Sequence, residues 1–114
     1  MQEPYCKQLT LASNGTSYNL YTLLQAAAPS GVTVRKVACQ LILQNDISDS
    51  THKTFIGNSS LTAGSGGADT GYDIATAGAA LTMGPFSSNL IHLDEIYLTS
   101  DTNSQLVNVI AITR

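Results

Sequence analysis

The side chains that could do chemistry are few, and each lacks the company its chemistry needs. There are two histidines. His52 lies in a polar stretch beside Lys53, and His92 lies between Ile91 and Leu93 in a strand-like run. A metal-binding barrel needs several imidazoles and carboxylates converging on one point, and two isolated histidines give no such spacing. Asp46 with Asp49, and Asp69 with Asp73, fall in loop-like segments. Neither pair has the dense alternation of oxygen ligands that calcium loops use. Aspartates in such places make turns with their own backbone. Asp94 and Glu95 are the only adjacent acids. Neighbours on a strand point to opposite faces, so this pair can meet a common ligand only if the backbone bulges there. No Gly-x-Ser-x-Gly elbow is present. The glycines at Gly64, Gly66 and Gly67 lack the Gly-Lys-Ser/Thr ending of a phosphate loop. Cys39 sits in an apolar run without an electropositive neighbourhood, which suits a small core residue better than a nucleophile. The reading is a protein with no catalytic residue, no metal site and no cofactor.

Composition points toward assembly instead. Charged residues make up 11% of the 114-residue chain, against ~25% in ordinary soluble domains. The polar share comes from Ser, Thr, Asn, Gln and Gly, which leaves little repulsion between copies. Net charge is −3, and the five cations Lys7, Arg35, Lys36, Lys53 and Arg114 are scattered. Nucleic acid asks for a clustered basic footprint, so no nucleic-acid partner is expected. No run approaches the ~18 apolar residues of a membrane span, so no membrane partner is expected either. The start, MQEPYCKQLTLAS, has no apolar leader core, which points to synthesis in a cytoplasm. The sequons at Asn14 and Asn58 are then chance matches, and Cys6 and Cys39 are expected to stay unpaired. Five tyrosines supply most of the aromatic surface, and there is no Trp. Sugar-binding sandwiches favour flat aromatic platforms, often Trp. Tyrosine also suits protein interfaces, where one end of the ring is dry and the other wet; Tyr97 reads as peripheral core packing.

The elements that would carry these residues are short strands. The length predicts one domain, 1–114, with a short N-terminal arm at residues 1–4. From Tyr5 to Ala12 the pattern alternates, Tyr5, Lys7, Leu9 and Leu11 against Cys6, Gln8 and Thr10, which is strand period. Asn14-Gly15 signals a turn. Leu20, Leu23, Leu24 and Ala27 share one helix face, so a short helix is expected near Leu20–Ala27, capped by Ser17 or Asn19 and stopped by Pro29-Ser30-Gly31. Val32–Asn45 reads as the longest strand, with Val37, Cys39, Leu41 and Leu43 on one face and a half-apolar second face of Ala38, Gln40, Ile42 and Gln44. Shorter strands are expected at Lys53–Ser60, Tyr72–Thr76 and Ala79–Met83, and a loop or wide turn at Leu61–Gly71. The hairpin Ile91–Ile112 closes the chain around the polar hinge Ser100–Ser104. Its first arm changes phase between Leu93 and Ile96. A β-bulge at Asp94–Glu95 would return Ile91, Leu93, Ile96 and Leu98 to one face; the alternative is a strand buried on both sides. Its second arm is apolar on both faces except for Asn108 and should be central. The expected core includes Leu41, Leu43, Ile96, Leu98, Leu106, Ile110 and Ile112. The fold class is all-β, a two-sheet antiparallel sandwich or jelly roll with one short helix.

Three segments carry a resemblance: SYNLYTLL at Ser17–Leu24, VRKVACQLILQ at Val34–Gln44, and the closing IHLDEIYLTSDTNSQLVNVIAI. Together they cover roughly half the chain, and they are loose strand-and-turn patterns with no strict motif. The chain resembles the small virion accessory proteins of tailed bacteriophages that decorate or cement the capsid shell. The resemblance implies a β-sandwich or jelly roll, frequent trimerisation, no cofactor, and a role in stabilising the head. It carries over no binding residue. Expected partners are therefore other copies, as a homotrimer, and the major capsid protein shell. The expected location is the virion, after synthesis in the host cytoplasm. The N-terminal arm, too short and polar for the core, supplies the candidate subunit or shell interface: Gln2, Glu3, Pro4 and Tyr5. The alternative function is a carbohydrate- or receptor-binding β module of a phage fibre or tail; a cupin-like enzyme is a more distant third class.

Overall fold

The computed structural model describes residues 3–48, 51–61, 63–64, 67–68, 71–74 and 77–113. Its principal strands are β1 (Glu3–Leu11), β2 (Tyr18–Asn19), β3 (Gln40–Asn45), β4 (Thr54–Gly57), β5 (Gly71–Ile74), β6 (Ala80–Met83), β7 (Tyr97–Ser100) and β8 (Gln105–Thr113). One α-helix, α1 (Leu20–Ala27), follows β2. The strands form two four-stranded antiparallel sheets, ordered β1-β8-β3-β6 and β2-β7-β4-β5. Successive strands mostly alternate between the sheets, and the terminal strand lies between the first and third. This nesting is the winding of a jelly roll. Two-residue pairings join Val37–Ala38 to Ile91–His92 and Ala63–Gly64 to Gly67–Ala68.

The core lies between the two sheets. β1 contributes Leu9 and Leu11, β3 Leu41 and Leu43, and β8 Val107, Val109 and Ala111; Ile56, Ile74 and Leu98 face them from the second sheet. The central strand β8 carries the small side chains, and its neighbours carry leucines. Large and small residues alternate across the sheet, the arrangement that fills a layer without voids. The helix closes one flank. Leu20 and Leu24 are buried, and Leu23 packs against the core. Asn19 caps it, its Oδ1 accepting from the Thr22 N–H at 3.1 Å, which satisfies one of the free donors of the first turn. After Ala28, Gln25 holds the returning chain: its Nε2 donates to the Val32 carbonyl and its Oε1 accepts from the Val34 N–H, both at 2.9 Å.

Four sequence expectations change. First, Glu3 and Pro4 are already in β1, paired with Thr113 and Ile112, so they are not an arm. Second, Val32–Asn45 is not one strand. The chain breaks at Cys39, where the N–H donates to the Ile112 carbonyl at 2.8 Å and the carbonyl accepts from the Phe86 N–H at 2.8 Å. Ala38 and Cys39 are both buried as a result. Gly84 packs so close that a Cβ there would collide with the Cys39 carbonyl. Third, the phase change between Leu93 and Ile96 is made by a 3₁₀ turn, Leu93–Glu95, in place of a bulge. It does what the bulge would have done: Ile91, Leu93 and Leu98 are buried in one core and Ile96 packs against it. Fourth, β8 faces the other way. Val107, Val109 and Ala111 point inward, while Leu106 and Ile112 are half-buried and Ile110 is 36% exposed.

One end of the sandwich is closed by a buried polar cluster. Asn45 Oδ1 accepts from Thr54 Oγ1 and from Gln105 Nε2, each at 2.8 Å. Asn45 Nδ2 donates to the His52 carbonyl at 3.1 Å. The turns at this end are stitched by the Asn14 N–H to Asn103 Oδ1, 2.8 Å, and the Lys53 N–H to Asp101 Oδ1, 2.9 Å.

Candidate functional site

Register places the outward residues of the β1-β8-β3-β6 sheet in rows. Pro4, Ile112 and Gln40 form one row; Cys6, Ile110, Ile42 and Thr82 the next; Gln8, Asn108, Gln44 and Ala80 the third; Thr10 and Leu106 the last. No charged side chain lies among them. The third row is an amide ladder with one direction. Gln8 Nε2 donates to Asn108 Oδ1 at 3.3 Å, Asn108 Nδ2 donates to Gln44 Oε1 at 3.1 Å, and Gln44 Nε2 donates to the Gly78 carbonyl at 3.1 Å. These bonds hold the amides along the sheet. The neighbouring row is mostly apolar, with Cys6, Ile110 and Ile42 and then Thr82 at its end.

Exposed apolar residues also gather at the rim. Ile47, 67% exposed, has a methyl group beside Gly78, next to the end of the ladder. Phe86, 39% exposed, has its backbone bonded to Cys39, the residue that precedes β3. A face whose described rows are uncharged, with isoleucines at its centre, is a candidate interaction surface.

The sequence-expected interface residues divide across the sheet. Pro4 lies exposed on this face, opposite Ile112. Tyr5 points the other way and packs against the core. Glu3 is placed by its pairing with Thr113. Gln2 lies outside the described residues, as do Asp49, Asp69 and Arg114. The half-apolar second face expected of Gln40, Ile42 and Gln44 is part of the site. Cys6, Gln8, Ile110 and Ile112 join it only through strand pairing. Both cysteines are free, Cys6 exposed on the face and Cys39 buried.

The remaining chemical candidates do not come together. His52 Nδ1 lies 3.1 Å from Thr51 Oγ1, and His92 is exposed opposite Val37. Asp46 turns on its own backbone, accepting from the Ser48 N–H and hydroxyl. Among the described residues no three His, Cys, Asp or Glu side chains are grouped to hold a metal ion. No helix among them is long and apolar enough to cross a membrane. One small depression, of about 430 Å³, is lined by Asn58, Ser59, Ser60, Asp94, Glu95 and Tyr97. The 3₁₀ turn brings Asp94 and Glu95 to the same hollow, which a regular strand would have forbidden. No protein-family model, curated protein or solved structure matches the chain.

Proposed function

We propose that this chain is a structural virion protein, a decoration or cement protein that binds a preassembled phage capsid shell and stiffens it without catalysing a reaction. It acts as an oligomer and reaches the virion from the host cytoplasm. The observation that carries the proposal is the uncharged outer face of the β1-β8-β3-β6 sheet, with Ile42, Ile110 and Ile112 on it and Ile47 and Phe86 at its edges. Uncharged, partly apolar faces of this kind often mark interaction surfaces, which supports an assembly reading. Many copies on one lattice also let weak single contacts add through multivalency. Jelly rolls serve capsids, lectins and cupins alike, so the fold alone does not choose among them. The test is made on shells. Particles lacking this protein should lose genome or break at a lower temperature, and purified protein should restore them. Equal robustness with and without the protein, or failure to bind, rejects the reading.

The depression favours a second reading, a carbohydrate- or receptor-binding module. An aromatic ring, two carboxylates, an amide and two hydroxyls around one hollow offer a stacking surface and strong acceptors for a polyol. Retention on immobilised glycans that Tyr97→Ala abolishes would support it; no retention on any glycan would end it.

A further inference from the structure

We infer that the outer face of the β1-β8-β3-β6 sheet docks a second copy of this chain, face to face about a two-fold axis. The inference rests on the assembly reading above and names the occupant of that face. A two-fold contact brings one patch against itself, so the patch must be complementary to its own image. A charged patch meets its own charge in such a pairing. The paired rows described here hold none, so among them that penalty is absent. The amide ladder satisfies the same condition. Gln8, Asn108 and Gln44 are each both donor and acceptor, and the bonds along the row use only part of that capacity. A row of amides can therefore pair with its own copy, whereas a row of lysines or carboxylates cannot. Alongside it, the Ile110–Ile42 row supplies apolar surface that the fold leaves in water.

The size of the face sets the strength. Strands of nine, nine, six and four residues at ~4.8 Å spacing and ~3.3 Å rise give a footprint on the order of 450 Å². Two copies then bury roughly 900 Å², just short of the ~1,000 Å² that a stable contact should clear and so in the range of weak ones. The pair is accordingly concentration-dependent. The homotrimer that the resemblance implies needs head-to-tail contacts instead, so the mass in solution separates the two.

The experiment is analytical ultracentrifugation of the full chain over a concentration series, with Ile110→Asp and Ile110→Lys as variants. Ile110 is more than a third exposed, so both should fold, and matching melting curves check this. The wild type should reach twice the chain mass. Each variant alone should associate at least about tenfold more weakly, because pairing would bury a charge against its like. An equimolar mixture of the two should recover pairing, since only face-to-face copies bring the two charges together. Cys6 should be alkylated more slowly in the dimer than in either variant. A mass of one chain or three at every concentration overturns the inference, as does a dimer that neither variant weakens. If the wild type does not dimerise yet Ile110→Asp loses shell binding, the two-fold pairing is wrong and the assembly reading stands.

Discussion

The two sheets of this sandwich treat their outer faces differently. On the β2-β7-β4-β5 sheet, Phe55 alternates with the core-facing Thr54 and Ile56 and so points away from the main core, yet it has no exposed surface at all. Thr99, its partner across the strand pair, is equally buried, and Leu61 nearby in sequence is 4% exposed. At β4 this sheet therefore has protein on both sides. On the β1-β8-β3-β6 sheet, Ile110 occupies the corresponding outward position on a central strand and is 36% exposed. Two large apolar side chains on outward faces thus have opposite environments. Burial followed the cover laid over each sheet, and neither hydrophobicity nor position within the sheet foretold it.

Three substitutions test that contrast. The largest effect should come from Phe55→Ala. A fully buried aromatic lost without refilling costs about 3–5 kcal/mol, read from the midpoint of a denaturant titration. A cost under ~1 kcal/mol would mean that the outer face of the second sheet is as open as that of the first. Next is Asn45→Ala, at the polar end shared by both sheets. It removes the oxygen that accepts from Thr54 and Gln105 and leaves buried donors unmatched, at about 1–3 kcal/mol. The smallest effect should be Ile110→Ala. Its side chain is already partly in water, so the expected cost is about 1 kcal/mol or less. If Ile110→Ala unfolds the protein as readily as Phe55→Ala, the inward assignment of Val107, Val109 and Ala111 is wrong.

The β8 face shows where sequence pattern stops being informative. In β1, polar residues alternate with apolar ones, and Leu9 and Leu11 could be assigned inward from that alone. In β8, Leu106, Ile110 and Ile112 compete with Val107, Val109 and Ala111, and the larger set suggests the wrong face. Register resolves it. Pairing sets Val107 between Leu9 and Asn45, and Val109 between Lys7 and Leu43, so the neighbours' faces dictate that of β8. The uncharged face followed the same rule. Pro4 was a candidate from sequence, but the Gln8-Asn108-Gln44 ladder joins residues up to 100 positions apart and exists only once the strands are paired.

Elements with local causes were legible along the chain. The helix at Leu20–Ala27 follows from apolar spacing and the Pro29-Ser30-Gly31 stop, with the cap left between Ser17 and Asn19. The phase change around Asp94–Glu95 follows from the mismatch between Ile91/Leu93 and Ile96/Leu98. The low charge follows from composition. The tertiary structure alone decided three further things: the interruption of the long strand at Cys39, the burial of Phe55, and the exposure of Ile110 on an uncharged face. Each depends on a hydrogen bond or a covering layer contributed by residues distant in the chain. Strand periodicity states that two faces differ by one residue; which of them meets water is settled only when the second layer arrives.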